Sequence, residues 1–272
     1  MKIIRVFPRK TKATPIDELV RINRPPGLFD DADEVHISVA FTWDLPRAEW
    51  LAKQWESVAP VKIGGPATGE KGGDFIPGVY LKHGYVITSR GCPNNCWFCS
   101  VPKREGRIIR ELPVTNGYNV LDDNLLACSD DHIKNVFEML SRQKEIEFTG
   151  GLEAARLKFW HCKEMKKLRI KQIFFAYDTA DDLNPLRQAG RYLREAGFTT
   201  RSHALRCYVL CGYKNDTIKD AESRMKETID AGFTPMAMLY RRDDGWRNPD
   251  FIGGKFQKKW ARPGIIHAVN KY

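Results

Sequence analysis

Between residues 85 and 240 the sequence alternates between short apolar segments and longer amphipathic ones, and this pattern restricts the fold more than any other feature. The apolar segments have the length of strands and span 85–88, 119–121, 146–149, 172–177, 206–210 and 235–240. Helical patterns follow four of them, at 131–142, 154–167, 184–196 and 217–231. Such alternation predicts a parallel α/β sheet that is covered by helices and binds ligands at the carboxyl ends of its strands.

A smaller α/β unit is predicted upstream of this region. Residues 34–41 and 61–63 read as strands, and the helical spacing of 45–58 lies between them. Together they make one βαβ-like unit. Residues 1–33 are expected to be irregular, because Pro8, Pro15, Pro25 and Pro26 interrupt them. The glycine-rich stretch 64–77 is interpreted as a linker rather than a loop over a ligand.

Three cysteines, Cys92, Cys96 and Cys99, lie within eight residues directly after the first strand of the alternating region. Their spacing is C-x3-C-x2-C. Three thiolates on one tight loop can hold three irons of a [4Fe–4S] cluster and leave the fourth iron open to a small molecule. Arg90, Lys103 and Arg104 flank the loop, and positive charge favours the thiolate form of cysteine.

Structural zinc is the alternative for this loop. Zinc sites usually combine four ligands in paired spacings, and no second cysteine pair follows here. His83 is a candidate fourth ligand. On this alternative the chain would be a zinc-containing nucleic-acid-binding module without catalysis. A disulfide would leave one of the three cysteines unpaired, so we do not expect one.

The cysteine loop, its position after a first strand and the six strands of 85–240 together resemble the radical S-adenosylmethionine (radical SAM) superfamily. The resemblance covers about residues 82–245 and implies an open (β/α)6 partial TIM barrel. It further implies a [4Fe–4S] cluster on the three cysteines and S-adenosylmethionine (SAM) as cofactor. SAM would be cleaved to a 5′-deoxyadenosyl radical that abstracts hydrogen from a substrate. An electron donor such as a flavodoxin or ferredoxin would reduce the cluster.

The same resemblance suggests residues that contact SAM. In the family, a Gly-Gly-Glu-like element at a strand end holds the SAM amino group, and two segments compete for this role. Asp122 and Asp123 follow the second strand, whereas Gly150, Gly151 and Glu153 follow the third. Asp178 is a candidate for the ribose hydroxyls or, alternatively, a helix N-cap. Phe98 occupies the position of an aromatic residue near the adenine.

The first 80 residues are similar to a fragment of the cobalamin-binding domain that precedes many radical SAM domains. The D-x-H-x-x-G motif, which supplies the cobalt-ligating histidine in that domain, is absent, and His36 lies inside a strand. A single βαβ unit is also smaller than the usual doubly wound sheet. We therefore do not expect bound cobalamin.

The other four cysteines do not suggest a second cluster. Cys207 and Cys211 lie on one predicted strand about 13 Å apart, because each strand residue advances the chain by roughly 3.3 Å. Cys128 and Cys162 are isolated in the sequence. Cysteines of this kind are usually small buried hydrophobes.

Composition limits location and partners. The chain has 272 residues with a formal net charge of +10, which indicates an anionic partner or a basic solvated surface. The substrate is unidentified, and nucleic acid or a nucleotide is one candidate. No apolar stretch is long enough to cross a membrane, and the N-terminus has no apolar signal core. We expect a cytoplasmic protein with no membrane partner.

The predicted organisation ends in a basic and aromatic extension. Three regions are expected: 1–80 as the βαβ-like fragment, 81–245 as the partial barrel and 246–272 as the extension. Trp246, Phe256, Trp260 and Tyr272 alternate with basic residues in or near the extension. Such a mixture can stack on nucleobases, but packing of the aromatics over the sheet is the preferred interpretation.

Overall fold

The computed structural model describes residues 1–200, 203–213, 215–242, 245–252, 254–261, 264 and 266. The chain forms two compact units, residues 1–115 and residues 116–272. This division does not test the predicted boundaries at 80/81 and 245/246, which stay predictions. Among the described residues, no helix is both long and apolar enough to cross a membrane.

The first unit contains a parallel sheet in the order β2-β1-β3-β4. Its strands are β1 (Ile3–Phe7), β2 (Val20–Ile22), β3 (Glu34–Ser38) and β4 (Val61–Gly64). Helix α1 (Leu45–Trp55) connects β3 to β4 and buries Leu51 and Trp55 against the sheet core. The predicted strand–helix–strand unit at 34–63 is therefore confirmed, with a shorter first strand and helix and with a second strand that is one residue longer.

Strands β1 and β2 correct the expectation that residues 1–33 are irregular. The run Ile3–Phe7 is mostly apolar and buried, and the prolines lie outside both strands. Proline therefore bounds these strands instead of interrupting them. Arg5 is the polar exception within β1, and its guanidinium donates to the Val79 carbonyl at 2.8 Å and pairs with Asp17. A charge that is buried with such partners is compatible with the core.

The rest of the first unit contains the cysteine loop. After β5 (Gly84–Val86), the short strands β6 (Ser89–Arg90) and β7 (Arg110–Glu111) pair antiparallel. Helix α2 (Val101–Arg104) lies between them in the chain. The three cysteines lie between β6 and α2, so the antiparallel pair closes the base of the loop.

The second unit alternates strands and helices as predicted. Its elements are β8 (Gly117–Val120), α3 (Asp130–Ser141), β9 (Ile146–Leu152), α4 (Phe159–Lys167), β10 (Ile170–Tyr177), α5 (Leu183–Glu195), β11 (Leu205–Cys211), α6 (Ile218–Asp230) and β12 (Thr234–Leu239). Neighbouring strands pair parallel in chain order from β8 to β12. All carboxyl ends of these strands therefore lie at one edge of the sheet.

Helix α7 (Lys255–Trp260) follows β12 and packs against it. Trp260 is fully buried, the Phe256 ring lies 5.1 Å from that of Phe251, and Lys259 forms an ion pair with Glu222 of α6 at 2.7 Å. The preferred packing interpretation is confirmed for Phe256 and Trp260. Tyr272 lies outside the described residues.

Candidate active site

The cysteine loop presents its thiols toward the surface of the first unit. Cys96 is exposed, and Cys92 and Cys99 are half-buried. Trp97 is 55% exposed, and its ring meets that of the half-buried Phe98 edge-on at 5.3 Å. The side chains around the three thiols are thus reachable by a cofactor.

The backbone of the loop is held by local constraints. Gly91 has a φ of 91°, and a Cβ there would lie 2.5 Å from the Ile108 carbonyl oxygen, so only glycine fits. The Cys92 N–H donates to the Gly106 carbonyl at 3.3 Å. The Val101 N–H donates to Cys99 Sγ at 3.4 Å. A donor aimed at sulfur favours the thiolate over the thiol.

Glu105 is the charged anchor of the loop. Its side chain is 1% exposed and faces three guanidinium groups, those of Arg90 at 3.6 Å, Arg104 at 3.0 Å and Arg110 at 2.7 Å. Arg90 immediately precedes the loop and Arg104 ends α2, so one carboxylate ties both ends together. Three cations around one anion leave a net positive charge in the segment that carries the loop.

The glycine-rich stretch 64–77 takes part in this anchor, contrary to its interpretation as a linker. The Gly72 N–H donates to the Glu105 carboxylate at 3.2 Å, and Arg90 Nε donates to the Gly73 carbonyl at 3.0 Å. A Cβ at Gly72 would lie 2.5 Å from the Arg90 guanidinium. Glycine at this position therefore allows the backbone to approach Arg90 closely.

In the second unit, the two segments that competed for the SAM amino group contact each other. A Cβ on Gly150 would clash with the Asp122 carbonyl oxygen, so the ends of β8 and β9 approach closely. Asn124 Nδ2 donates to the Glu153 carboxylate at 2.6 Å. Arg156 Nε donates to the same oxygen at 2.7 Å. The structure thus places both segments at one edge of the sheet.

The glycines at this edge lie within β9 instead of after it. The strand continues to Leu152, and its register with β10 shifts between Ile173 and Phe175. Gly151 has a φ of 93°, and the nearest atom to a Cβ there would be 4.0 Å away on the Tyr208 ring. Gly151 therefore leaves open space beside the Tyr208 ring.

Asp178, at the end of β10, lies near a second acidic side chain. Burial, and then the negative charge of Asp182, raise the pKa of the Asp178 carboxyl to about 7, while the Leu210 N–H donates to it and opposes the rise. The capping role falls to Asp182, whose carboxylate accepts from the N–H groups of Asp178 at 3.0 Å and Thr179 at 2.7 Å. The alternative of Asp178 as an N-cap is therefore not what the structure shows.

Aromatic residues that sequence patterns did not single out lie together on one face of the sheet. Phe174 and Tyr208 stack with ring centroids 4.3 Å apart, and the Tyr208 hydroxyl donates to the Thr149 carbonyl at 3.2 Å. The opposite face contacts the helices, since Tyr177 donates to Glu227 of α6 at 2.6 Å. Successive side chains of a strand point to opposite faces of the sheet, so Phe174 and Tyr208 lie on one face and Tyr177 lies on the other. This period of two is the sequence signal that could have identified the two aromatic residues.

The remaining four cysteines are all buried. Burial raises the pKa of the Cys162 and Cys211 thiols to about 12, and that of Cys207 well above its usual value. The thiols of Cys162, Cys207 and Cys211 therefore stay protonated and unreactive. Cys207 and Cys211 lie on one strand, β11, as predicted.

No protein-family model matches the chain, and no curated protein matches it either. Among solved structures, the radical SAM methyltransferase TsrM from Kitasatospora setae, with cobalamin and a [4Fe–4S] cluster bound, is similar with a TM-score of 0.62. The two sequences are 11% identical, and the alignment covers 96% of this chain and 79% of that one. This chain therefore has a fold like that of a radical SAM enzyme.

Proposed function

We propose that this protein is a radical SAM enzyme whose Cys92, Cys96 and Cys99 hold three irons of a [4Fe–4S] cluster. The observation that carries the proposal is the accessible three-cysteine loop in a chain whose fold resembles that of a radical SAM methyltransferase. When bound, the cluster supplies the electron that cleaves SAM to methionine and a 5′-deoxyadenosyl radical, which abstracts hydrogen from the substrate. The open (β/α)6 partial barrel, with β5 as its first strand, belongs to the same proposal.

The thiols present fit such a cluster. Three soft sulfur ligands suit iron–sulfur binding. These three are exposed or half-buried, whereas the other four cysteines are buried. The Val101 N–H donates to Cys99 Sγ at 3.4 Å, and the ion pairs of Glu105 hold both ends of the loop. The loop thus presents three accessible sulfur ligands on a backbone that is held in place.

The strand ends of the second unit supply groups suited to the polar parts of SAM. Glu153 and Asp123 offer carboxylates to its cationic amino group, and such charge-assisted hydrogen bonds are stronger than neutral ones. Asp178 can accept from ribose hydroxyls. Gly151 leaves room for backbone to approach the ligand. Phe98 is the candidate for contact with adenine.

Cobalamin is not part of the proposal, although the similar structure contains it. Both ring nitrogens of His36 already have partners, with Nδ1 2.5 Å from the Tyr80 hydroxyl and Nε2 2.8 Å from Glu34. Both nitrogens with which His36 could bind cobalt are therefore already hydrogen-bonded. An external electron donor such as a flavodoxin or ferredoxin is part of the proposal, since cleavage of SAM requires an electron delivered to the cluster.

The test is anaerobic reconstitution followed by incubation with SAM and dithionite. We expect about four irons per chain and release of 5′-deoxyadenosine. Cys96→Ala should lose both, whereas the matched control Cys162→Ala removes a buried thiol outside the loop and should keep both. One zinc and no iron would contradict the proposal and favour the zinc-module alternative. An intact cluster that yields no 5′-deoxyadenosine would contradict the radical chemistry.

A nucleic-acid or nucleotide substrate is proposed on charge alone. The net charge of +10 would attract phosphates, and binding by lysine and arginine weakens steeply as salt rises because counterions are released. Binding of RNA and DNA oligonucleotides between low and moderate salt tests this. Affinity that is absent, or that does not change with salt, argues for a peptide or small-metabolite substrate.

A further inference from the structure

A second group of metal-ligand side chains lies within the second unit, after strand β8. Asp122 follows the strand, Cys128 lies in the connection to α3, and His132 is in the first turn of α3. One donor atom from each lies within 4.8 Å of the other two. Their exposed fractions are 1%, 9% and 6%. Among the described residues, this is the group of three metal-ligand side chains whose donor atoms lie this close to one another.

We infer that Asp122, Cys128 and His132 bind one zinc ion. Carboxylate, thiolate and imidazole are the three ligand types that zinc takes in proteins, with bond lengths of about 2.0–2.3 Å. A tetrahedral ion with such bonds separates its ligands by roughly 3.3–3.8 Å. The donor atoms therefore need to close by no more than about 1.5 Å, which side-chain rotation can supply. Three protein ligands leave the fourth position to water or another donor.

A divalent cation would balance the charge of the three side chains in their metal-binding forms. The carboxylate of Asp122 and the thiolate of Cys128 together carry two negative charges, and the imidazole of His132 is neutral when it binds metal. One divalent ion thus makes the buried group neutral overall.

Local structure positions the ligands before any ion binds. A short 3-10 turn, Leu125–Ala127, precedes Cys128 and buries the side chains of Leu125 and Leu126. The Cys128 N–H donates to the Leu125 carbonyl at 3.1 Å, and the Ser129 side chain caps α3 by accepting from the His132 N–H at 3.1 Å. These contacts fix the C-x3-H segment, so that Cys128 and His132 reach the site from one rigid turn.

The zinc ligands are not the ligands of the cysteine loop, and the zinc inference does not depend on radical chemistry. None of the zinc ligands is Cys92, Cys96 or Cys99, and all three lie in the second unit. Zinc binding would also assign Asp122 a role different from its predicted contact with the SAM amino group. Asp123 and Glu153 would then remain as the carboxylates for that contact.

The test uses the full chain with Cys92, Cys96 and Cys99 all replaced by serine, so that the loop cannot bind metal. We expect about one zinc per chain by elemental analysis, and a thiolate-to-cobalt absorption band after replacement of zinc by cobalt. Cys128→Ser in this background should remove the band and lower zinc at least tenfold. Cys162→Ser, which removes another buried thiol, should change neither. Zinc that is lost in the triple-serine chain but kept when Cys128 alone is replaced would overturn the inference.

A second measurement stands even if Cys128→Ser does not fold. X-ray absorption at the zinc edge of the triple-serine chain should show one sulfur near 2.3 Å, with the other ligands nitrogen or oxygen. A shell with no sulfur or with several sulfurs would overturn the inference, as would a folded protein that takes up neither zinc nor cobalt. Failure of the iron assays on the parent chain would leave this result unaffected, so the two proposals fail separately.

Discussion

Glu105→Gln is expected to destabilise the first unit by about 3–5 kcal/mol, the usual cost of leaving a buried charge without its partner. The Glu105 side chain is 1% exposed, and it is the shared anion of Arg90, Arg104 and Arg110. Glutamine has the same shape but no charge, and its amide nitrogen would face cationic donors. The change therefore removes the charge and keeps the volume.

The matched control is Glu138→Gln on helix α3. Glu138 pairs with Arg142 at 2.6 Å, but both side chains are more than two-thirds exposed. Exposed pairs of this spacing contribute about 0.3–0.5 kcal/mol, since water screens them and their side chains lose entropy on pairing. Urea unfolding, followed by tryptophan fluorescence, compares the two variants. Equal losses below 1 kcal/mol would refute the assignment of Glu105 as the anchor.

Iron retention separates two consequences of the same substitution. Loss of the carboxylate leaves the three arginines without their shared anion, and added positive charge on its own would favour anionic sulfur ligands. Loss of the anchor frees both ends of the loop, which would weaken a three-thiolate site. We expect the second effect to prevail, so that Glu105→Gln retains less iron than Glu138→Gln. Full iron retention in an unstable Glu105→Gln protein would restrict Glu105 to a role in folding.

Three further substitutions test other parts of the structure. Gly91→Ala combines a positive φ of 91° with a clash against a main-chain carbonyl, so it should lower both stability and iron content. The loss should exceed that of Gly106→Ala, where φ is 89° but a Cβ would meet nothing within 4 Å. Equal effects of the two substitutions in iron assays and urea melts would contradict this. Because the pKa of Asp178 is raised from 3.8 to about 7, the folded state binds the extra proton between these values, and the contribution of Asp178 to stability falls as pH rises through this window. Asp178→Asn should therefore gain stability relative to the parent chain from pH 4 to pH 7, and a constant difference in urea melts would refute the shift. Arg224→Met leaves the Asp216 carboxylate, which is 1% exposed and 2.7 Å from Arg224, without its cation; a loss of about 3–5 kcal/mol is expected in the same assay.

Periodicity predicted most of the second unit because its elements depend on local burial. Strands β8 to β12 and helices α3 to α6 appear where alternating apolar and amphipathic segments placed them, with ends that differ by a few residues. The 154–167 pattern was longer than α4, since its first residues form a 3-10 turn before Phe159. Ends depend on capping contacts that periodicity does not report.

The features that sequence patterns missed depend on contacts between distant residues. The prolines near β1 predict an irregular segment, although the residues of the strand itself are mostly apolar. Glu105 is a single acidic residue in a basic stretch, and its three arginines and Gly72 converge only in the fold. Cys128 has no paired-cysteine spacing, so nothing in the pattern joined it to Asp122 and His132.

The contact between the ends of β8 and β9 favours one of the two segments that competed for the SAM amino group, the one that contains Glu153. Asp122 is fully buried beside Cys128 and His132, whereas the Glu153 side chain is 22% exposed. Glu153 already pairs with Arg156, which is 39% exposed, and a pair this accessible is worth about 0–1 kcal/mol. A SAM amino group could displace Arg156 at small cost while Asn124 continues to hold the carboxylate in place. Glu153 is therefore the carboxylate that we expect to bind the amino group, with Asn124 from the competing segment as its support.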